Sequence, residues 1–301
     1  MVRHGAPRPR NIVGLALLAL RQRAPSRRAL ACMVLAATAL ASPWRSCSGR
    51  APLRVATFNI ENYPKSPRQA RGAFETIRAL DATAVAVQEI TDPADFTRAA
   101  QRHLGASWRF VFPDGGPPQR VGVLFDGDAL VLRGTRVHRE CATTPGARPA
   151  FEARFTDREG APLTLLVLHL RAGSTGFETR RAQLRALRPI VAEGMRGPGR
   201  YVVLGDFNAT GPSDREEIAT LARETGARWT SERLGCTSYW ARPDGCVGSA
   251  LDHVVSNTAA RSIAALGPCA EFGCNPGGRC PTFHAEVSDH CPVLTVFAPP
   301  R

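Results

Sequence analysis

The sequence predicts an α/β fold built on mixed sheets, in one domain of about 250 residues. Two observations carry this. Apolar strand-like runs and amphipathic helical stretches are interspersed from residue 52 to 299, and some neighbouring strand runs have no helix between them, so they must pair antiparallel. A third, the lack of any repeat or long low-complexity linker in that stretch, argues for one domain.

The elements follow in order. Leu53–Phe58 reads as a strand. Arg68–Leu80 reads as a helix, with Ala70, Ala73, Phe74, Ile77 and Leu80 on one face. Ala84–Val87 is a short apolar strand and Ala94–Leu104 a helix. Trp108–Phe112 and Val121–Phe125 are strands on either side of the Gly-Gly-Pro-Pro turn at 115–118. Leu163–Leu170 is a buried strand. Thr179–Val191 is a helix that turns Leu184, Leu187, Ile190 and Val191 inward. Tyr201–Leu204 is a strand, Asp214–Glu224 a helix, and Leu251–Ser256 and Val293–Phe297 are strands.

The chain has 301 residues, of which 44% are hydrophobic, which excludes a largely disordered protein. Its 39 basic residues against 26 acidic ones give a net charge of +13. Only Lys65 is a lysine, a bias that GC-rich codon usage explains more simply than selection for phosphate contacts. The charge is also uneven. Residues 1–41 hold seven arginines and no acid, so the remainder carries 32 basic and 26 acidic residues, a net +6. Within that leader, residues 29–41 form an apolar run of 13, too short to span a bilayer, ending in Ala39-Leu40-Ala41. This pattern predicts a signal peptide cut near Ala41 and a secreted or periplasmic product; the alternative is an uncleaved anchor. Ser26-Arg27-Arg28 loosely fits twin-arginine export, and the first twenty residues read either as an extended basic region or as a misplaced start. Residues 42–51 are then a short N-terminal segment and residues 52–299 the folded domain.

The nine cysteines agree with export. Cys32 leaves with the leader, and an even set of eight remains, which favours disulfides; no paired C-x-x-C spacing supports zinc. Cys236 and Cys246 bracket a short loop and are expected to pair. Cys269, Cys274, Cys280 and Cys291 are expected to bridge among themselves, leaving Cys47 to Cys141 by elimination.

Polar residues close the apolar strands. Phe58-Asn59-Ile60-Glu61 ends the first, Gln88-Glu89 another, and His169 closes Leu163–Leu170. Gly205-Asp206-Phe207-Asn208 follows Tyr201–Leu204, Asp252-His253 lies in the next strand, and Ser288-Asp289-His290 precedes the last. Residues two apart on an extended segment face the same way, so Asp206 and Asn208 form one pair and Asn59 and Glu61 another. Carboxylates and an amide oxygen are hard ligands suited to Mg²⁺, Mn²⁺ or Ca²⁺. Histidines add acid–base capacity near neutral pH. The chain has no P-loop, no G-x-G-x-x-G, no G-x-S-x-G and no cysteine in a nucleophile context. Hydrolysis by metal-polarised water is the chemistry this set suits.

Asn59, Gln88-Glu89, His169-Leu170, Gly205-Asp206-Phe207-Asn208, Leu251-Asp252-His253 and Ser288-Asp289-His290 occur in an order that resembles the endonuclease/exonuclease/phosphatase superfamily, also called DNase I-like, over residues 52–298. The resemblance implies a four-layer α/β sandwich of two packed mixed sheets and metal-dependent cleavage of phosphate esters, with Mg²⁺ the first choice of ion. It implies that Glu89 binds the metal, with Asn59 and Asp289 nearby. Asp206 would orient or deprotonate the attacking water, and Asn208 would position it. His290, oriented by Asp252, would contact the scissile phosphate or act as acid–base. His169 would donate to phosphate or leaving group. The glutamate that backs this second histidine in DNase I aligns here with Gln119, followed by Arg120, a candidate phosphate contact. Arg171 after His169-Leu170, and the helix start Arg180-Arg181-Ala182-Gln183, resemble secreted nuclease-like members, which makes Arg171 a second candidate substrate contact.

Ser249-Ala250-Leu251-Asp252-His253 lacks the P-A-W-C-D-R-like segment of the inositol phosphatases, and the Ser238-Tyr239-Trp240 loop is short for a membrane-inserting sphingomyelinase hairpin. The reading is therefore a monomeric secreted nuclease acting on DNA or RNA, with no stable protein partner and no membrane span in the mature chain. The alternatives are a phosphatase or phosphodiesterase acting on a small or lipid phosphate, and a catalytically inactive binding module.

Overall fold

The computed structural model of the chain describes residues 51–299; the predicted leader and Cys47 lie outside them. Two six-stranded mixed sheets stack face to face. The first takes the order β13-β14-β1-β2-β4-β3, from β1 (Leu53–Tyr63), β2 (Ala84–Ile90), β3 (Trp108–Val111), β4 (Arg120–Asp126), β13 (Ala260–Ala265) and β14 (Val293–Phe297). The second takes the order β5-β6-β7-β8-β12-β9, from β5 (Leu130–His138), β6 (Ala150–Asp157), β7 (Pro162–His169), β8 (Arg200–Asp206), β9 (Arg228–Trp229) and β12 (Asp252–Ser256). A separate hairpin joins β10 (Ser238–Arg242) to β11 (Gly245–Ser249).

Side-chain alternation builds the layers. In β1, Val55 faces the core between the sheets, while Ala56 and Phe58 face outward under α1 (Pro67–Leu80) and α2 (Pro93–Leu104). In β8, Val202 and Leu204 face the inter-sheet core and Val203 faces α3 (Phe177–Arg196) and α4 (Pro212–Thr225). Both faces of the central strands are covered, so these strands read as continuous apolar runs. Each fully buried Val, Leu or Phe contributes roughly 1.5–3 kcal/mol. The result is the expected helix–sheet–sheet–helix sandwich. The helices start where their caps dictate: Ser66 accepts from Gln69 N–H ahead of α1, and Asp92 from Asp95 N–H ahead of α2, each with proline in the first turn.

The elements that the sequence hid are informative. The strand β5, LVLRGTRVH, lies at a sheet edge with most of its residues partly or fully exposed, so arginines break its apolar pattern. Two short helices, α5 (Pro268–Phe272) and α6 (Thr282–Glu286), occupy the cysteine-rich segment. The disulfide expectation needs correction there. Cys246 pairs with Cys280, not Cys236, and Cys269 pairs with Cys291. Short sequence spacing misled because Cys246 lies on β11 and Cys236 just before β10, in a hairpin that turns Cys246 towards the 280 segment. Cys141, Cys236 and Cys274 are free thiols among the described residues.

One buried ionisable cluster lies at the end of the edge strand β5. His138, 2% exposed, has its Nδ1 3.2 Å from a Glu140 oxygen and its Nε2 3.2 Å from a Glu152 oxygen. Burial alone would push this imidazole down, but the two carboxylate hydrogen bonds outweigh it and hold it above its ordinary 6.5. Glu152 and Glu140 are held below 4.5, Glu152 mainly by its hydrogen bond to His138 and Glu140 mainly by its own backbone N–H. Folding therefore binds a proton at His138. That stabilisation is complete below pH 6.5 and is lost as pH rises through the raised value. The carboxylate contributions are present above pH 4.5 and are lost as pH falls through the depressed values. Thermal denaturation should accordingly show wild type losing more stability than His138→Gln on going from about pH 5.5 to about pH 8.5; parallel losses would refute this.

Candidate active site

Asp206 ends β8 with an in-register neighbour on each side: His169 on the parallel strand β7 and Asp252 on the antiparallel strand β12. Register alone puts the three side chains on one face, with Cβ atoms about 5 Å apart. Gly205, at φ 143°, lets β7 approach: a Cβ there would lie 2.1 Å from Leu168 O. Across the sandwich, Asn59 of β1 pairs with Gln88 of β2, and beyond them the register of both β1–β2 and β2–β4 shifts. Glu61, Asn62, Glu89 and Asn208 all take positive φ, between 50° and 62°. The fifth non-glycine of this kind, Asp81, closes α1. Such backbone is disfavoured for side-chain-bearing residues and concentrates at functional sites.

Donors from several elements converge on these acids. Asn59 Nδ2 donates to Glu89 Oε1 at 3.2 Å and to Asp206 Oδ2 at 3.1 Å, linking the two sheets. Its own oxygen accepts from Glu61 N–H. Asn208 donates to Asp206 through its backbone N–H at 2.8 Å and through Nδ2 at 3.0 Å. His290 Nδ1 lies 2.8 Å from Asp252 Oδ2, which also accepts from Thr237 Oγ1 at 2.8 Å. His290 Nε2 faces Asp206 Oδ2 at 3.8 Å and Asp289 Oδ1 at 3.9 Å. His169 Nε2 sits 3.6 Å from Asp206 Oδ2 and 3.7 Å from Glu89 Oε1.

Burial sets the charge states. Asp206, 1% exposed, is pushed up to about 7, chiefly by desolvation and then by Asp252, against the lowering effect of His290 and its hydrogen-bond donors. Burial works against a charged His290, yet Asp252, Asp206 and Asp289 together hold it well above 6.5. His169 is driven well below 6.5 by burial, Arg148 and His290, so it is neutral. Asp289 is raised by burial and by the nearby Glu61 and Glu89. The site thus holds a carboxyl that titrates near neutrality, an imidazolium and a neutral imidazole. Each suits a different part of proton management.

The surrounding loops are held by residues that the motifs only partly flagged. Ser288 Oγ donates to Asn59 O and accepts from His290 N–H, so the serine of the S-D-H segment fastens His290 to β1. Thr237 also receives the Leu251 and Asp252 N–H groups. Arg180, 1% exposed, forms a bidentate pair with Asp214 and donates to Arg171 O, Gly173 O and Thr210 Oγ1. It ties together the loops after β7 and β8. Gln183 accepts from Arg171 N–H and donates to Arg148 O.

Two expected contacts, those of Gln119 and Arg120, differ from the sequence reading. Gln119 does not back His169, whose Nδ1 is buried without a partner. Its Nε2 instead donates to Glu89 Oε2 and Asn62 Oδ1, and its oxygen accepts from Arg148. An amide can do both at once, which a glutamate cannot. Arg120 turns away and donates to Gly115 O. Arg171 is exposed and lies beside Gly146, close enough to Arg148 to disfavour its charge. Arg148 was missed altogether: it is a partly buried cation, with Nε lacking a partner, within electrostatic reach of Glu89 and Asp206. No motif or periodicity in residues 141–149 points to it.

The sequence profile of the Endonuclease/Exonuclease/phosphatase family matches residues 56–290. The chain belongs to this family. No curated protein matches it by sequence. Among solved structures it is similar to TDP2 of D. rerio in complex with a single-strand DNA product (18% identity, 82% of this chain and 98% of that one, TM-score 0.64). It is also similar to the human Nocturnin catalytic domain with bound sulfate (18%, 81% and 93%, TM-score 0.60) and to a family protein from Bacteroides thetaiotaomicron (15%, 82% and 98%, TM-score 0.58).

Enzymes of this family generally use divalent metals, and the residues here fit one. Glu61, Glu89 and Asp289 crowd one rim, where Glu61 and Glu89 disfavour ionisation of Asp289, and Asp289 Oδ1 is buried without a hydrogen-bond partner. An all-oxygen rim of this kind is a hard-cation site. Asp206, Asp252 and His290 also bring potential ligand atoms within 4.8 Å of one another, but there the His290 proton already supplies the positive charge. Asn59, with its amino group on the carboxylates, is their donor in this arrangement.

Two outcomes test this geometry. Asp214→Ala strands the buried Arg180 and should cost about 3–5 kcal/mol in urea denaturation; a loss below about 1 kcal/mol would refute the clamp. In metal-free protein, NMR should find the His290 ring protonated above pH 6.5 and its titration lowered in Asp252→Asn; an unmoved titration would contradict the pairing.

Proposed function

We propose that the chain is a divalent-metal-dependent phosphoesterase and that its substrate is the phosphodiester backbone of DNA or RNA, cut by in-line attack of water. The observation that carries this is the placement of Asp206, a buried carboxyl held by Asn59 and Asn208, 3.8 Å from the buried His290 ring that Asp252 orients. Asp206, fixed by Asn59 and Asn208, accepts the proton of the attacking water. His290 Nε2–H donates to a phosphoryl oxygen that gains charge in the transition state, while Asp252 holds the ring by Nδ1. His169, neutral, offers a hydrogen bond without adding charge. Arg148 supplies a cation beside the same acids. A divalent ion at the Glu89 and Asp289 rim supplies positive charge to the phosphoryl group when bound.

Two features support a polynucleotide. Arg148 and Arg171 give one wall phosphate-binding cations, and the similar D. rerio structure holds a DNA product. Export after cleavage near Ala41 is part of this proposal. It is supported by the basic, apolar leader and by two disulfides; among the described residues no helix is long and apolar enough to cross a membrane.

Purified protein offered duplex DNA, single strands, RNA, sphingomyelin and phosphomonoesters should hydrolyse polynucleotide only when Mg²⁺, Mn²⁺ or Ca²⁺ is present, and chelation should silence it. Asp206→Asn and His290→Ala should lower kcat about 10²–10⁴-fold while leaving the fold intact by circular dichroism. Arg148→Ala should mainly raise KM and flatten the salt dependence. Hydrolysis of lipid or monoester alone would overturn the substrate reading, and full activity of both catalytic variants would overturn the site.

A further inference from the structure

We propose that Cys236 and Cys274 are the two halves of a third disulfide. Six cysteines lie between residues 236 and 291, and four of them are joined as Cys246–Cys280 and Cys269–Cys291. The remaining two are not scattered. They lie against the same glycine from different segments: a methyl group on Gly248 would sit 2.6 Å from Cys236 Sγ and 3.0 Å from Cys274 Cα. Gly248 N–H donates to Cys274 O at 3.2 Å, which pins the two segments together. Cys236 is among the neighbours that raise the Cys274 thiol, and Cys274 Sγ lies 2.7 Å from Gly235 O, the residue preceding Cys236. Burial pushes the Cys274 thiol up to about 12, so a thiolate is unwelcome in this place, whereas a disulfide carries no charge and suits the apolar surroundings of Cys236 in the inter-sheet core. Cys141, the other free thiol among the described residues, packs in the layer under α3, apart from this pair.

The chemistry balances with an oxidant of the glutathione disulfide class. Cys274, the more exposed thiol, loses its proton and attacks one sulfur of that disulfide, releasing one reduced glutathione. Cys236 then loses its proton and attacks Cys274 Sγ, releasing the second. Two protein thiols have given up two protons and two electrons, and the oxidant has taken them up. The bond sits one residue from Thr237, which holds Asp252 Oδ2, while Cys291 N–H donates to Thr237 O and Tyr239 N–H to Asp289 O. A cross-link here fixes the base of the β10–β11 hairpin against the turn that follows α5, without touching the reacting groups.

The inference stands on geometry and not on the catalytic reading, so its test needs no substrate. The full chain, equilibrated with oxidised glutathione and alkylated without reduction, is digested with trypsin and chymotrypsin. Cleavage at Tyr239 or Trp240, Arg261, Phe272, Arg279 and Phe283 separates the six cysteines onto different peptides. Mass spectrometry should find the Cys236 peptide joined to the Cys274 peptide. In Cys236→Ser the thiol of Cys274 should become alkylated, and in Cys274→Ser that of Cys236. Both single variants and the double variant should show the same fall in Tm. Alkylation of both thiols in wild type, or either one joined to any other cysteine, would overturn the proposal; so would additive Tm losses.

Discussion

The amide of Asn59 bridges the two sheets where carboxyl groups of both meet. It donates to Glu89 on one sheet and Asp206 on the other. Glu61, Glu89, Asp206, Asp252 and Asp289 all gather around it, four of them at strand ends or in the short loops beside them. Water would screen such a cluster, but Asp206 and Asp252 are almost wholly shielded from it. The fold must therefore compensate with fixed donors and cations. His290, Asn208, Thr237 and Arg148, with Lys65 on Glu61 and Gln119 on Glu89, are compensation the chain itself supplies. The excess that remains at the Glu61, Glu89 and Asp289 rim is the physical argument for a metal.

That requirement accounts for features otherwise without a purpose. Regular strands could not turn Glu61, Asn62 and Glu89 into one corner; the register shifts and positive φ angles do so. Close approach of β7 to β8 demands glycine at 205. The buried Arg180–Asp214 pair holds the two loops that follow His169 and Asp206. A buried ion pair is a poor way to gain stability alone. Here its guanidinium also satisfies three further acceptors in those loops. On the opposite side, disulfides and the hairpin restrain the segment around Asp252 and His290.

Much of this was legible in the sequence, for identifiable reasons. Strands covered on both faces are continuous apolar runs, so β1, β2, β7, β8 and β14 declared themselves, and their polar terminators named Asn59, Glu89, His169, Asp206, Asp252 and His290. Strands whose apolar residues are broken by charge are not bound by that rule, so the edge strands β5 and β13 and their neighbour β6 went unread. Arg148 carried no signal because a loop residue acquires its role only when the sheets stack. Gln119 was placed beside the wrong partner: alignment gives a position, but the hydrogen bonds that an amide makes depend on which neighbours need both a donor and an acceptor. The disulfides failed on the same ground, since spacing along the chain says little about which sulfurs a hairpin turns together.

The most direct test of the charge argument is thermal unfolding of metal-free protein titrated with Mg²⁺ or Mn²⁺, in wild type and in Glu89→Gln. An ion that binds only the folded state raises Tm with its concentration. If the crowded rim is a cation site, wild type should gain several degrees, and Glu89→Gln should start at or above the wild-type metal-free Tm and gain little. A wild-type Tm indifferent to either ion, or an undiminished gain in Glu89→Gln, would contradict the account.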